Sequence, residues 1–353
     1  MHKKLEFQAD RIETVLSLHK VPARVTGGTV TPRWIRFQVL PAIGAKISKI
    51  KRLSEEMAAA LDAPACRVSR RGAAVAVEVP RDDPQPVCLL PLYTQLAEDS
   101  STSTLTSIPP VTAILGLAED GAPLLIRLPS PDVAHILVAG TTGSGKTALL
   151  QTMILSLAMA NPPHSLAIVL IDPKAHAFNP FADLPHLARP VIWDTEEAIE
   201  ALHSLVRLME RPSQTGTVAR RPAVTLFIDE LADLLMVGGK PVQEALTRLT
   251  QRGREAGIHV VAATQKPTAA VIGPLVKANF PVRLTGRVSS ATDARTATGW
   301  AGTGAERLTG RGDFVAVAEG RVIRFQAAYV SAKEIQRTVK NIARGARDGC
   351  RDR

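Results

Sequence analysis

Residues 140–147 read GTTGSGKT, a G-x-x-x-x-G-K-[ST] pattern lying between an apolar run, AHILVAG, and a helix-forming run, KTALLQTMILSLAMA. That order calls for a strand, a glycine-rich turn and a helix opening at Lys146. Glycines let the turn wrap closely, its amide N–H groups and the helix N-terminus carry partial positive charge, and Lys146 adds a full one. The turn is built for phosphate. Gly140, Thr141, Thr142, Gly143, Ser144, Gly145, Lys146, Thr147 and Ala148 are the candidate phosphate-binding residues, with the Thr147 hydroxyl as a magnesium ligand.

The rest of the chain has to supply the sheet that such a turn needs. After about residue 110, short β-rich runs alternate with amphipathic segments: AHILVAG, LAIVLID, PVIWD, AVTLFIDE, IHVVAAT and FPVRLTG, with helices from Lys146, Glu196 and Val242. This alternation predicts an α/β fold with a mostly parallel sheet covered by helices. Before it, LEFQADRIETVLSLH has helical spacing, Ala23–Thr26 and Trp34–Leu40 read as strands, Ile47–Leu61 as a helix, and CRVSRRGAAVAVEVP as two strands turning at Arg71–Gly72. Turn formers and small polar residues gather between, in RDDPQP and EDSSTSTLTSIPP. The expected organisation is a small α+β domain at 1–82, a linker at 83–110, a P-loop domain at 111–335, and a C-terminal helix with a basic tail at 336–353.

A chain of 353 residues with 45% hydrophobic content can bury two cores. No stretch approaches the ~20 apolar residues of a membrane span, and the start, MHKKLEFQAD, lacks a signal-peptide run. Cys66, Cys88 and Cys350 are scattered, which indicates neither a disulfide framework nor zinc. A cytoplasmic protein with no membrane segment of its own is expected. Its net charge of +10 favours a polyanionic partner.

AVTLFIDELADLL ends an apolar strand in two carboxylates, Asp229 and Glu230. Asp229 would hold magnesium and Glu230 would polarise an attacking water; alternatively the pair only caps the following helix. Asp172 and Lys174 in LIDPK, Asp194 in VIWDT and Gln265 in VVAATQKP also stand at strand ends, where open α/β sheets gather their ligands. Gln265 would sense the γ-phosphate or orient water, or simply close a turn.

GTTGSGKT, VLIDPK with LPHL beyond it, FIDELADL, RGREAGIHVVAATQKP, VKANFPVRLTGRVSSATDAR and GAERLTGRGDF, in that order, resemble the FtsK/SpoIIIE DNA translocases. The N-terminal AIGAKISKIKRLSEEMAAAL resembles the segment that precedes the motor core in that family. The resemblance implies a RecA-like P-loop NTPase core in a homo-oligomeric, hexameric ring, with ATP and Mg2+ at subunit interfaces and double-stranded DNA through the channel. It implies catalytic roles for Lys146, Glu230, Gln265 and Arg254, with Arg254 reaching into a neighbour's site and Thr147 and Asp229 on the metal. A cation beside Arg248 and Arg252 at the end of helix 242–256 is also favoured by the helix dipole alone.

DNA contact by the resemblance falls to Lys266 and Arg295, phosphate contacts that ignore sequence. Lys266 stands where arginine is common and Ala291 where a second basic residue often sits; both cations are also ordinary solvated charges. Arg287 would serve either site. Neither the membrane domain nor the winged-helix module of chromosome-segregating members is visible, so the expectation is a compact motor or a motor fragment that does not read DNA orientation. Two other functions remain open: a secretion-type ATPase of the same superfamily that moves protein, and a nucleotide-binding scaffold without turnover.

Overall fold

The computed structural model describes residues 2–102, 108–211, 221–267 and 279–351. Residues 103–107 of the expected linker, 276–278 of the VKANFPVRLTG block and the last two of the tail lie outside them. The chain forms two compact units, Met1–Pro86 and Val87–Arg353. No described helix is long and apolar enough to cross a membrane.

In the first unit, α1 (His2–Leu18) precedes β1 (Ala23–Val30) and β2 (Trp34–Pro41). The single helix expected over Ile47–Leu61 is two, α2 (Ile47–Arg52) and α3 (Ser54–Ala60), parted by Leu53 at ψ 19°. Ile50, Leu53 and Met57 all enter the core, and Glu55 and Glu56 suit the new helix N-terminus. β3 (Arg67–Arg71) and β4 (Ala74–Pro80) complete an antiparallel sheet in the order β1-β2-β4-β3. On β4, Glu78 is buried and paired at 2.8 Å with Arg36 of β2, which satisfies both charges.

The second unit begins with β5 (Val87–Cys88) and α4 (Leu89–Thr102), so half of the expected linker is a helix. Leu89, Leu92, Tyr93 and Leu96, at i, i+3, i+4 and i+7, pack its inner face on the main core. Next come β6 (Thr112–Ala118) and β7 (Pro123–Arg127), a pair the sequence reading passes over, and then β8 (Ile136–Ala139) and α5 (Lys146–Ala160). The order continues with β9 (Leu166–Ile171), α6 (Thr195–Glu210), β10 (Ala223–Ile228), α7 (Leu231–Arg252) and β11 (Ile258–Thr264). β12 (Val282–Thr285), α8 (Ala291–Thr298), β13 (Asp313–Ala318), β14 (Arg321–Tyr329) and α9 (Ala332–Arg351) finish it.

The strands form one sheet in the order β7-β6-β14-β13-β12-β8-β11-β10-β9, with β5 parallel to β14. From β12 to β9 every neighbour is parallel, as the alternating pattern predicts. From β12 to β7 every pairing is antiparallel. Chain connections explain the division: β13 and β14 are joined only through Glu319 and Gly320, both at positive φ, and a two-residue link of that kind makes a hairpin. PVIWD contributes a single bridge, Ile192 to Ile171, rather than a strand.

α5 is apolar around its circumference and buries Leu149, Leu150, Met153, Ile154, Leu155 and Leu157. A helix of that kind belongs inside the fold, and it fixes the turn before it against the sheet. α7 breaks at Gly239, where φ is 54°, and Pro241 starts its second half. Ser331 and Glu334 cap α9 reciprocally, with Ser331 N donating to Glu334 Oε2 at 2.8 Å and Glu334 N to Ser331 Oγ at 3.3 Å.

Candidate nucleotide-binding site

β8 delivers the chain to the phosphate turn at the carboxyl edge of the parallel strands, between β11 and β12. Gly145 caps α5 at φ 102°, and a Cβ there would stand 2.8 Å from the backbone nitrogen of Gly312, so neither conformation nor space admits another residue. Neighbouring segments hold the turn. Thr141 N donates to Arg287 O at 2.8 Å, and Gly140 N to Thr264 O at 3.3 Å. From the other side, Arg311 N donates to Gly143 O at 2.9 Å and Gly312 N to Ser144 O at 2.8 Å.

That second clamp is the loop before β13, and the sequence reading gives it no role. Asp313 secures it, accepting from Thr309 N at 2.9 Å and Thr309 Oγ1 at 3.0 Å and pairing with Arg324 of β14, whose Nε donates at 2.8 Å. The signal was present in GRG, two glycines flanking an arginine at φ 51°.

Lys146 is buried, and its Nζ donates to Gly140 O at 2.6 Å and Thr141 O at 3.1 Å. Burial, the largest influence, pushes its pKa down to about 8 against the upward pull of Glu230 and Asp229. An arriving phosphate would add anionic charge beside this buried cation and favour its protonated form. Ser144 Oγ is buried without a hydrogen-bond partner among the described residues. The first-turn amides of α5 have no intrahelical acceptor. These features fit a bound polyphosphate.

The register of β10 on β9 sets Ile228 beside Ile171, and so Asp229 beside Asp172. Thr147 Oγ1 donates to Asp229 Oδ1 at 3.3 Å. Burial foremost, then the charges of Asp172 and Glu230, push the Asp229 pKa up to about 6, although Thr147 and Lys146 pull it down. Thr147 and Asp229 are hard oxygen donors in a pocket with more negative charge than Lys146 offsets, which fits Mg2+.

Glu230, 1% exposed, does not act as a helix cap. Its Oε1 accepts from Thr264 Oγ1 at 2.9 Å, both its oxygens accept from Gln265 N at 3.2 Å, and Lys174 Nζ stands 3.7 Å from Oε2. Lys174 also pairs with Asp233 at 3.0 Å. Gln265 Oε1 accepts from Thr142 Oγ1 at 2.9 Å, tying the β11 end to the phosphate turn. Of the remaining strand-end groups, Asp172 uses Oδ2 to accept from Ala177 N at 2.7 Å and Phe178 N at 3.1 Å, which shapes the following turn. Asp194 caps α6, accepting from Glu196 N at 2.7 Å and Glu197 N at 3.1 Å.

Arg254 lies elsewhere. The α-helix ends at Arg252, short of the expected 256, and Arg254 stands in the 3-10 turn Gly253–Ala256 that leads into β11. Its Nη1 donates to Pro131 O at 3.3 Å. β11 separates it from the phosphate turn by seven strand residues, about 20 Å. Lys266 and Arg295 are exposed; Lys266 stands two residues past the end of β11 at the phosphate-turn edge, and Arg295 lies on α8, which follows β12. Arg287, also exposed, holds Thr141 through its carbonyl oxygen.

The FtsK/SpoIIIE family profile matches residues 96–215 and 212–269, and the FtsK alpha domain profile matches residues 1–81. The chain is 34% identical over 369 residues to the DNA translocase SpoIIIE of Bacillus subtilis, covering 96% of this chain and 46% of that protein. It therefore spans about half the length of the curated relatives it matches. Among solved structures, the pCW3 conjugation coupling protein TcpA, a monomer with ATPγS, aligns at a TM-score of 0.63 with 18% identity, over 95% of this chain and 99% of that one. The cytoplasmic domain of the Thermomonospora curvata type VII secretion ATPase EccC aligns at 0.60 with 24% identity, over 69% and 32%. Both show the P-loop ATPase fold. With its phosphate turn, its carboxylate pair and both domain profiles in place, the chain belongs to the FtsK/SpoIIIE family.

Proposed function

We propose that this protein hydrolyses ATP with Mg2+ at the interfaces of a homo-oligomeric, hexameric ring and moves double-stranded DNA through it, in the cytoplasm. One observation carries the reading: Lys146, Thr147, Asp229, Glu230 and Gln265 gather at one edge of the parallel strands, while Arg254 stands at the other. Half of a site therefore faces each way, and a second copy would complete it.

In this reading the turn amides and Lys146 bind and orient the phosphates. Thr147 and Asp229 would hold magnesium, whose charge would offset that of the phosphate oxygens. Glu230 takes a proton from the attacking water, and Gln265 positions that water or senses the γ-phosphate. Arg254 of a neighbour stabilises charge on the transferred group, a contribution of about 10³–10⁵ in rate in related machines. Lys266 and Arg295 grip DNA phosphates, which suits a motor that must let go after each step.

Steady-state ATP hydrolysis with and without linear duplex DNA tests the reading. We expect strong stimulation by DNA, and loss of turnover in Lys146→Ala. Turnover indifferent to DNA supports a protein-moving ATPase instead, and absence of turnover in the wild type supports a scaffold.

A further inference from the structure

We propose that Thr264 is a positioning residue that restrains Glu230, and that the turn carrying Lys266 controls the restraint. The inference rests on the reading of Glu230 as the water-activating group and Lys266 as a DNA contact. It deepens that reading by assigning the link between them.

The observations form one chain of hydrogen bonds. The amide of Lys266 donates to Thr264 Oγ1 at 3.2 Å. That hydroxyl has a single proton, and it goes to Glu230 Oε1 at 2.9 Å, because an ionised carboxylate only accepts. Between them in sequence, the Gln265 amide is shared by both oxygens of Glu230, at 3.2 Å each. Thr264 is fully buried and Glu230 nearly so. A displacement of the Lys266 turn is therefore felt at the carboxylate through one side chain and one amide, without passing through the rest of the fold.

The direction of the effect follows from lone pairs. A general base needs a free one within about 2.6–3.2 Å of the water it activates. Here Oε1 is taken by a hydroxyl and an amide, and Oε2 shares the amide and faces Lys174 at 3.7 Å. This is a held carboxylate. A phosphate gripped by Lys266 that draws the 265–267 backbone outward would lengthen the amide bonds and turn the Thr264 hydroxyl away, releasing Glu230 towards the nucleotide. Gln265 is part of the same movement, since its side chain accepts from Thr142 in the phosphate turn at 2.9 Å. Through that bond the phosphate turn would register the shift together with Glu230.

Thr264→Val keeps the shape and removes the hydroxyl; Thr264→Ser keeps the hydroxyl. We expect Thr264→Val to raise DNA-free turnover roughly 10-fold, the equilibrium weight of one hydrogen bond to a charged group, and to reduce the DNA stimulation ratio in proportion. Thr264→Ser should restore the wild-type ratio. Two readouts do not depend on turnover. A fluorescent ATP analogue should bind Thr264→Val as it binds the wild type. Amide hydrogen exchange at residues 264–266 should accelerate on adding duplex DNA in the wild type, and be fast already in Thr264→Val without DNA. If Thr264→Val yields too little folded protein, Thr264→Ala takes its place in every arm.

Equal loss of turnover with and without DNA in Thr264→Val would overturn the inference, since Thr264 would then support catalysis rather than restrain it. Unchanged turnover in both conditions would overturn it too. If the wild type does not respond to DNA, the DNA reading fails. The DNA-free comparison of Thr264→Val with Thr264→Ser still decides whether Glu230 is restrained.

Discussion

Mixing two inactive variants should restore activity. Arg254 lies at the start of β11, and Thr264 at its end accepts the Gly140 amide, so about seven strand residues of ~3.3 Å separate the arginine from its own phosphate turn. That span exceeds the reach of an arginine side chain, so in the proposed ring Arg254 would serve a neighbour's site rather than its own. Arg254→Ala leaves the phosphate turn intact and removes the arginine; Lys146→Ala does the reverse. Each alone should lose about 10³-fold or more in turnover. In rings assembled from equal amounts of the two, half the subunits offer a sound phosphate turn and half a sound arginine. About one quarter of the head-to-tail interfaces then combine both. A coupled ATPase assay at saturating linear duplex DNA should therefore recover on the order of a quarter of the wild-type rate per subunit. If the mixture shows only the sum of the two single variants, Arg254 does not act across an interface and the shared-site geometry is wrong.

Asp229→Asn should abolish Mg2+-dependent turnover yet stabilise the nucleotide-free protein. The native carboxyl titrates near 6, above its unfolded value of 3.8, so the folded state binds more protons between those values and stability falls as pH rises through the window. Asparagine avoids that penalty, a gain on the order of 3 kcal/mol above about pH 6 that vanishes below about pH 4, measurable by denaturant unfolding across pH. Asp313→Ala should destabilise the protein by about 3 kcal/mol, because it breaks a partly buried ion pair with Arg324, removes the acceptor for Thr309, and frees the loop that clamps Gly143 and Ser144. Thermal unfolding should fall, and nucleotide binding should weaken with it. Lys266→Ala and Arg295→Ala should each lower duplex DNA affinity alike on unrelated sequences and flatten the log-affinity against log-salt slope by about 1.

The phosphate turn and the carboxylate pair were readable because their chemistry and their local conformation coincide: glycines at positive φ, a lysine opening a helix, two acids closing an apolar strand. Groups that depend on a partner distant in sequence were harder to place. Asp172 and Asp194 look alike as strand-end acids, and only the fold separates the one beside Asp229 from the one that caps α6. Thr264 is an ordinary β-branched residue in a buried strand until the register of β10 on β11 brings Glu230 to its hydroxyl. The antiparallel half of the sheet escaped for a similar reason. β6 and β7 are short apolar runs without helices between them, and their place is set by β14, some 200 residues onward. The helix in the expected linker was masked by the polar end of its own sequence, EDSST, which outweighed the Leu89, Leu92 and Leu96 stripe before it.

The central claim is that ATP hydrolysis here moves duplex DNA. A third strand annealed to linear duplex DNA, displaced when a motor runs into it, reports that movement directly. The wild-type protein should displace the triplex strand with ATP and Mg2+, but not with a non-hydrolysable analogue, and Lys146→Ala should not displace it at all. Rapid ATP hydrolysis on the same DNA with the third strand left in place would contradict the account.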